Sequence, residues 1–160
     1  MFDALAPRVF AYARRHCDAA GAQDVVADTF MVAWRKHAEL PPEPLPWLLV
    51  VARNTISSRR RRERRQGALV DSLAGIERLA GPAVGADQSV VERDALVGAL
   101  GELTDLEREA LLLVAWDGLT NAQAARVAGC SQRAFEVRLS RARARLTRAA
   151  STTATVGGRR

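Results

Sequence analysis

Lysine is almost missing from this 160-residue chain: Lys36 is the only one, although Lys and Arg together number 24. Aromatic residues are scarce as well, at 5%, so any core must be built mainly from Ala, Leu and Val. There are two cysteines, Cys17 and Cys130, far apart in the sequence. They cannot form a disulfide framework, and with His16 and His37 they show no metal-ligand spacing. No metal and no cofactor are expected, and a reducing cytoplasm is the default compartment. The apolar runs "WLLVVA" and "ALLLVAW" are far too short to span a bilayer. The opening "MFDALAPRVFAYARR" places its positive charge after the apolar residues, the wrong order for a signal peptide. No Gly-rich phosphate cradle and no nucleophile–base arrangement is visible. Neither a catalytic residue nor a small-molecule substrate is therefore expected, and the chain does not read as an enzyme.

What the sequence does have is arginine in two blocks. Residues 53–65 hold seven Arg and one Glu, and residues 133–148 hold six Arg and one Glu. These blocks carry net charges of +6 and +5, so the rest of the chain must sum to −5 to give +6 overall. A chain that is mildly acidic outside two separate basic blocks suggests two contacts with a polyanion. Arg also suits phosphate better than Lys, because its planar fork binds bidentately, though GC-rich coding would give the same preference.

Strand signals are poor, and the chain reads as all-α. Two small helical domains, 1–66 and 90–149, are joined by a flexible linker at 67–89, and a disordered tail occupies 150–160. Residues 2–16 and 22–38 are expected to be helical, with Pro7 a kink or late start in the first. In the second, Val26, Phe30, Ala33 and Trp34 share one apolar face. The stretch "ELPPEPLP" excludes helix until about Trp47, where a third helix begins and runs into the Arg block. Residues 67–89 have Gly, Ala and Pro punctuation. Leu69, Leu73, Ile76 and Leu79 could still make a short amphipathic turn there, transient or docked.

The second module is marked by caps. Thr104 to Glu107 and Thr120 to Gln123 both have the capping-box form. Helix ends are expected at Asp117-Gly118 and at Gly129, and Ser131 is placed to cap the last helix. A short helix, a Gly turn and a long basic helix make a helix-turn-helix pattern. On the last helix Phe135, Leu139, Ala142 and Leu146 form the packing face, with Arg138, Arg141, Arg145 and Arg148 as a stripe beside it. The outward face of its first turns shows Arg133, Glu136, Val137, Ser140 and Arg141. Glu can accept from cytosine, Arg can fork onto guanine and Val can meet a thymine methyl. Arginines off that face, Arg138 and Arg143 among them, would hold phosphates. A solvated basic helix in a small bundle is the competing reading.

The first module leaves more open. Asp24 and Asp28 are either an exposed face favouring the helix dipole or an acidic patch for a basic partner. Trp47 with Asn54, beside a Pro-stiffened loop, would suit a base turned out of its stack. The competing readings are that Trp47 is a core residue, the one favoured for it, Asn54 a surface amide and Arg59–Arg62 a solvated run.

Three ordered stretches resemble a known family: "AQDVVADTFMVAWRK", "LPWLLVVARNT" with trailing Arg, and "ALGELTDLEREALLLVAWDGLTNAQAARVAGCSQRAFEVRLSRARARL". Together they look like a bacterial RNA polymerase sigma factor of the extracytoplasmic-function type. The resemblance implies that Asp24, Asp28 and Trp34 dock on core RNA polymerase. It implies that Leu45, Trp47, Asn54, Arg59, Arg60 and Arg61 take the melted non-template strand of the minus-ten promoter element. Arg133, Glu136, Val137, Arg138, Ser140, Arg141 and Arg143 would read the duplex minus-thirty-five element, and an anti-sigma protein would be a further partner. The main rival is a stand-alone helix-turn-helix regulator acting as a dimer on a palindrome. The chain departs from the family where Leu5 meets Ala6 directly, about one helical turn short.

Overall fold

The computed structural model describes residues 2–67 and 90–157. The chain divides into two compact units, Met1–Leu79 and Ala80–Arg160. Every regular element among the described residues is helical. Beyond Gly67 the expected linker lies outside the described residues, with Leu69, Leu73, Ile76 and Leu79.

Three helices that all pack on one another form the first unit: α1 (Phe2–Arg14), α2 (Ala19–Arg35) and α3 (Pro44–Arg65), with a 3-10 turn at His37–Glu39. Its core is small, as the aromatic poverty requires. Val9, Tyr12 and Ala13 of α1 meet Ala22, Val25, Thr29 and Ala33 of α2, and Leu48, Leu49, Ala52 and Ile56 of α3. The buried row of α2 therefore differs from the expected one. Val26 and Phe30 are only half-buried, and Trp34 is 80% exposed. Small residues let α2 approach both neighbours, and the bulky indole is left outside. Pro7 lies within α1, costing it one backbone hydrogen bond, and α1 ends at Arg14.

The prolines misled the sequence reading at α3. This helix begins at Pro44, three residues before Trp47, with Pro44 and Pro46 in its first turn. There the missing N–H groups have no helical partner to lose, and φ is already set for helix. The start of α2 has a clear cause in Asp18, whose carboxylate accepts from the Gly21 N–H at 2.8 Å.

The second unit comprises α4 (Val90–Gly101), α5 (Asp105–Ala115), α6 (Asn121–Ala128) and α7 (Gln132–Gly157). Its expected punctuation is present. Thr104 accepts from the Glu107 N–H while Glu107 accepts from the Thr104 N–H, and Thr120 and Gln123 do the same for α6. Gly118 and Gly129 take positive φ, at 68° and 67°. Ser131 accepts from the Ala134 N–H at 3.1 Å. Phe135, Leu139 and Ala142 of α7 are fully or nearly fully buried against α5 and α6.

The expectation of a disordered tail from residue 150 is corrected: α7 continues to Gly157. Alanines favour helix, and the helix accommodates the hydroxyls of Thr147, Ser151 and Thr152, each of which donates to the carbonyl four residues earlier. Residues 158–160 lie outside the described residues.

Candidate nucleic-acid interface

In the second unit the Gly129 turn and the Ser131 cap fix where α7 begins, and Phe135, Leu139 and Ala142 fix its rotation. With those three turned inward, Arg133, Glu136, Val137, Ser140, Arg141 and Arg143 are all exposed, and Arg138 is half-buried. Val137, at 44% exposure, is an apolar residue set among polar ones. Glu136 accepts from the Gln132 amide at 2.9 Å, which steadies its carboxylate on the outer face. The first three turns of α7 thus offer a guanidinium, a carboxylate, a methyl-bearing side chain and a hydroxyl. That mixture can discriminate base pairs in a major groove.

An anchor of α7 and a clamp on the α4–α5 turn carry no clear signal in the sequence. Glu107, buried in α5, accepts from Thr104 N at 3.1 Å and meets Arg145 Nε at 3.5 Å through the same Oε2. The Thr104 N–H holds this carboxyl below the usual glutamate range, and Arg145 helps, while burial works against it. Arg108 ties the α4–α5 turn. Its Nε donates to the Leu100 carbonyl at 2.9 Å, Nη2 to the Leu103 carbonyl at 2.9 Å and Nη1 to Asp105 at 3.1 Å. The sequence marked Glu107 only as a capping residue, and nothing in the spacing around Arg108 signalled a three-way clamp.

In the first unit the structure joins residues that the sequence had assigned to different tasks. Arg59 Nη2 donates to Asp24 Oδ2 at 2.9 Å across α2 and α3. This hydrogen bond raises the Arg59 pKa above its ordinary value, and the charges of Asp24 and Asp28 add to it against burial. Asp28, Asn54 and Arg59 line one shallow cleft between these helices, together with Met31, Thr55 and Ser58. Trp34 is not among the residues lining it. Arg60 donates to the His16 carbonyl at 3.2 Å, and the exposed Arg61 to Ser58 Oγ at 3.2 Å.

Leu45 requires a correction. It is 7% exposed and belongs to the core at the start of α3, so its side chain offers no face to a base. Helix α3 starts before it, and the first turn folds it inward. Trp47 is half-buried and Asn54 is exposed. No cluster of His, Cys, Asp and Glu suited to a metal occurs among the described residues. No helix among them is long and apolar enough to cross a membrane.

Comparison with known proteins matches both units. A family model described as Sigma-70 region 2 matches residues 1–66, and one described as Sigma-70, region 4 matches residues 93–146. RNA polymerase sigma factor CnrH of Cupriavidus metallidurans is 35% identical over 134 residues, covering 78% of this chain and 70% of that protein. The ECF RNA polymerase sigma factor SigM of Bacillus subtilis is 34% identical over 127 residues, covering 78% and 77%. Among solved structures, the sigma factor RpoE from Bartonella quintana, in complex with the anti-sigma factor NepR, aligns with a TM-score of 0.69 at 28% identity. That alignment covers 92% of each chain. CnrH in complex with the cytosolic domain of CnrY aligns with a TM-score of 0.57 at 28% identity, covering 94% of this chain and 88% of that one.

Proposed function

Because this chain belongs to the sigma-70 family of RNA polymerase sigma factors, in its extracytoplasmic-function group, we propose a division of labour between its two units. The protein is a promoter-specificity subunit that binds core RNA polymerase and promoter DNA and directs transcription initiation. The first unit, through residue 66, docks on core polymerase with Asp24, Asp28 and Trp34. Its Trp47, Asn54, Arg59, Arg60 and Arg61 take the melted non-template strand of the minus-ten element. The second unit, 90–149, reads the duplex minus-thirty-five element with Glu136, Val137, Ser140 and Arg141, while Arg133, Arg138 and Arg143 hold phosphates. Tethered through residues 67–89, two weak sites gain by effective concentration what neither has alone.

The subunit catalyses no reaction itself, since bond formation belongs to the polymerase, and it works in the cytoplasm. An anti-sigma protein holds it off, as NepR and CnrY bind the two structural relatives. The observation that carries this reading is the exposed, mixed-chemistry face of α7, fixed in rotation by Phe135, Leu139 and Ala142. A palindrome-binding dimer is not favoured, because it leaves the first unit's match to a sigma region without a use.

The test is transcription in vitro with core polymerase on a library of promoter sequences. A subset should initiate only when this subunit is added, and those templates should share two spaced elements. If no template gains initiation, the reading fails.

A further inference from the structure

We infer that Glu107 is a specificity-determining residue for the duplex contact, acting by keeping Arg145 away from the DNA phosphates. This rests on the reading of α7 as the helix that meets duplex DNA. Arg145 lies one helical turn beyond Arg141, about 40° away around α7. It is therefore on the edge of the basic stripe, beside the proposed DNA face. Arg145 is exposed as Arg141 and Arg143 are, but its guanidinium is in an ion pair with a carboxylate of another helix. Arg145 Nε is 3.5 Å from Glu107 Oε2, and the carboxylate is only 7% exposed while the arginine is 45% exposed. The same oxygen accepts from Thr104 N, so the capping box of α5 holds the carboxylate still. The hold on Arg145 is thus built into the start of another helix.

The consequence is a choice between affinity and discrimination. Each guanidinium placed on a phosphate strengthens binding to every sequence alike and carries no information about bases. An arginine held back lowers that indiscriminate part and leaves the base contacts of Glu136, Val137, Ser140 and Arg141 to decide. Ala95, Gly98 and Ala99 of α4, with Glu102 just beyond its end, line an open groove beside Arg145; of the two carboxylates on that side, Glu107 is the one in an ion pair with it. A buried carboxylate so close to a DNA-facing stripe also has no evident need of its charge for packing. The capping role alone is met by an amide, as Gln123 meets it at the start of α6.

That substitution supplies the test. Glu107→Gln keeps a capping acceptor and removes the charge that holds Arg145. Full-length wild type, Glu107→Gln, Arg145→Gln and the double variant are titrated with a short mixed-sequence duplex at several salt concentrations. Each phosphate newly neutralised steepens the dependence of log K on log salt by about 0.9 for duplex DNA. Glu107→Gln should steepen the slope by about one such step. Arg145→Gln should match wild type, and the double variant should match Arg145→Gln.

Three results overturn the inference. One is an Arg145→Gln slope shallower than wild type, which places Arg145 on a phosphate already and needs no Glu107 variant to fold. Another is no steepening in Glu107→Gln. The third is equal steepening with and without Arg145, which reassigns the effect to the general field acting on Arg141 as well. If wild type shows no salt-dependent duplex binding at all, the reading of α7 itself falls and takes this inference with it. That outcome is distinct from a wild type that binds but whose variants do not differ.

Discussion

Both units place one arginine of a basic block against a carboxylate on another helix, and the two pairs are built differently. In the first, Arg59 and Asp24 meet at 2.9 Å with side-chain exposures of 34% and 64%. In the second, Arg145 meets a Glu107 that is 7% exposed and already bonded to backbone. An exposed pair is worth roughly 0–1 kcal/mol, because water and salt compete with it. Any basic partner that takes Asp24 therefore leaves Arg59 with its 3.5 Å bond to the Gly21 carbonyl, at little cost. Nothing can take Glu107 without undoing the cap of α5. The first unit's arginine is exchangeable by a partner, and the second's is set by the fold. This suits the proposed division of labour, in which the first unit meets both a protein and a strand and the second holds one face toward a groove.

The most severe way to break the comparison is to reverse the exposed carboxylates. Asp24→Arg with Asp28→Arg puts like charge where the first unit should meet a basic partner, which costs on the order of several kcal/mol at an interface. Core polymerase should no longer co-purify with the chain. Because both positions are exposed, the circular dichroism should be unchanged. Undiminished co-purification would remove the acidic surface from the proposal. Next in size is Arg108→Ala, which strips three hydrogen bonds from the α4–α5 turn and leaves the Leu100 and Leu103 carbonyls without this donor. Hydrogen bonds to charged groups contribute about 1.5–3 kcal/mol each and overlap when shared, so a loss of about 3 kcal/mol is expected. Urea unfolding should show the second unit melting early while the first keeps its midpoint. Arg108→Lys should recover little, since an ammonium cannot reproduce the fork. Full recovery by Lys would mean that only the charge matters.

How much of this was legible beforehand follows from the range of the signals. The second unit was read closely because its boundaries are local: Thr104, Thr120, Gly129 and Ser131 each act within a few residues of themselves. The packing face of α7 was legible too, since a helical period needs no knowledge of neighbours. The first unit was read less well wherever the answer depended on what lay across from it. Which side of α2 is buried depends on the placing of α1 and α3, so Trp34 was assigned to an apolar face and stands outside it. Pro44 and Pro46 mislead for another reason: proline forbids the middle of a helix and welcomes its start, and spacing alone does not separate the two. The cross-helix pairs Arg59–Asp24 and Arg145–Glu107 are separated by 35 and 38 positions, beyond any local pattern.

A smaller effect sharpens the second unit's side of the comparison. If Arg141 forks onto a base, Arg141→Ala should lose roughly 1–3 kcal/mol of discrimination between the preferred minus-thirty-five sequence and a substituted one. Competition binding with the holoenzyme measures it. An equal loss on both sequences would move Arg141 to a phosphate and leave Glu136, Val137 and Ser140 to do the reading.

Acid should produce the smallest effect, and it tests the Glu107 anchor. The Glu107 carboxyl is lowered in the folded chain, first by the Thr104 N–H. Its contribution to stability is therefore complete above the ordinary glutamate range and is lost as pH falls through the folded value. Arg59 is shifted upward, so its contribution is complete below the ordinary arginine range and fades only in strong alkali. Lowering the pH from neutral should thus weaken the Glu107 anchor. The difference in urea midpoint between wild type and Glu107→Gln should be largest near neutrality and narrow once the pH passes below the ordinary glutamate range. A difference that stays constant through acid would show that the ionised carboxylate contributes nothing beyond its shape, and the contrast between a fold-set and an exchangeable arginine would lose its electrostatic basis.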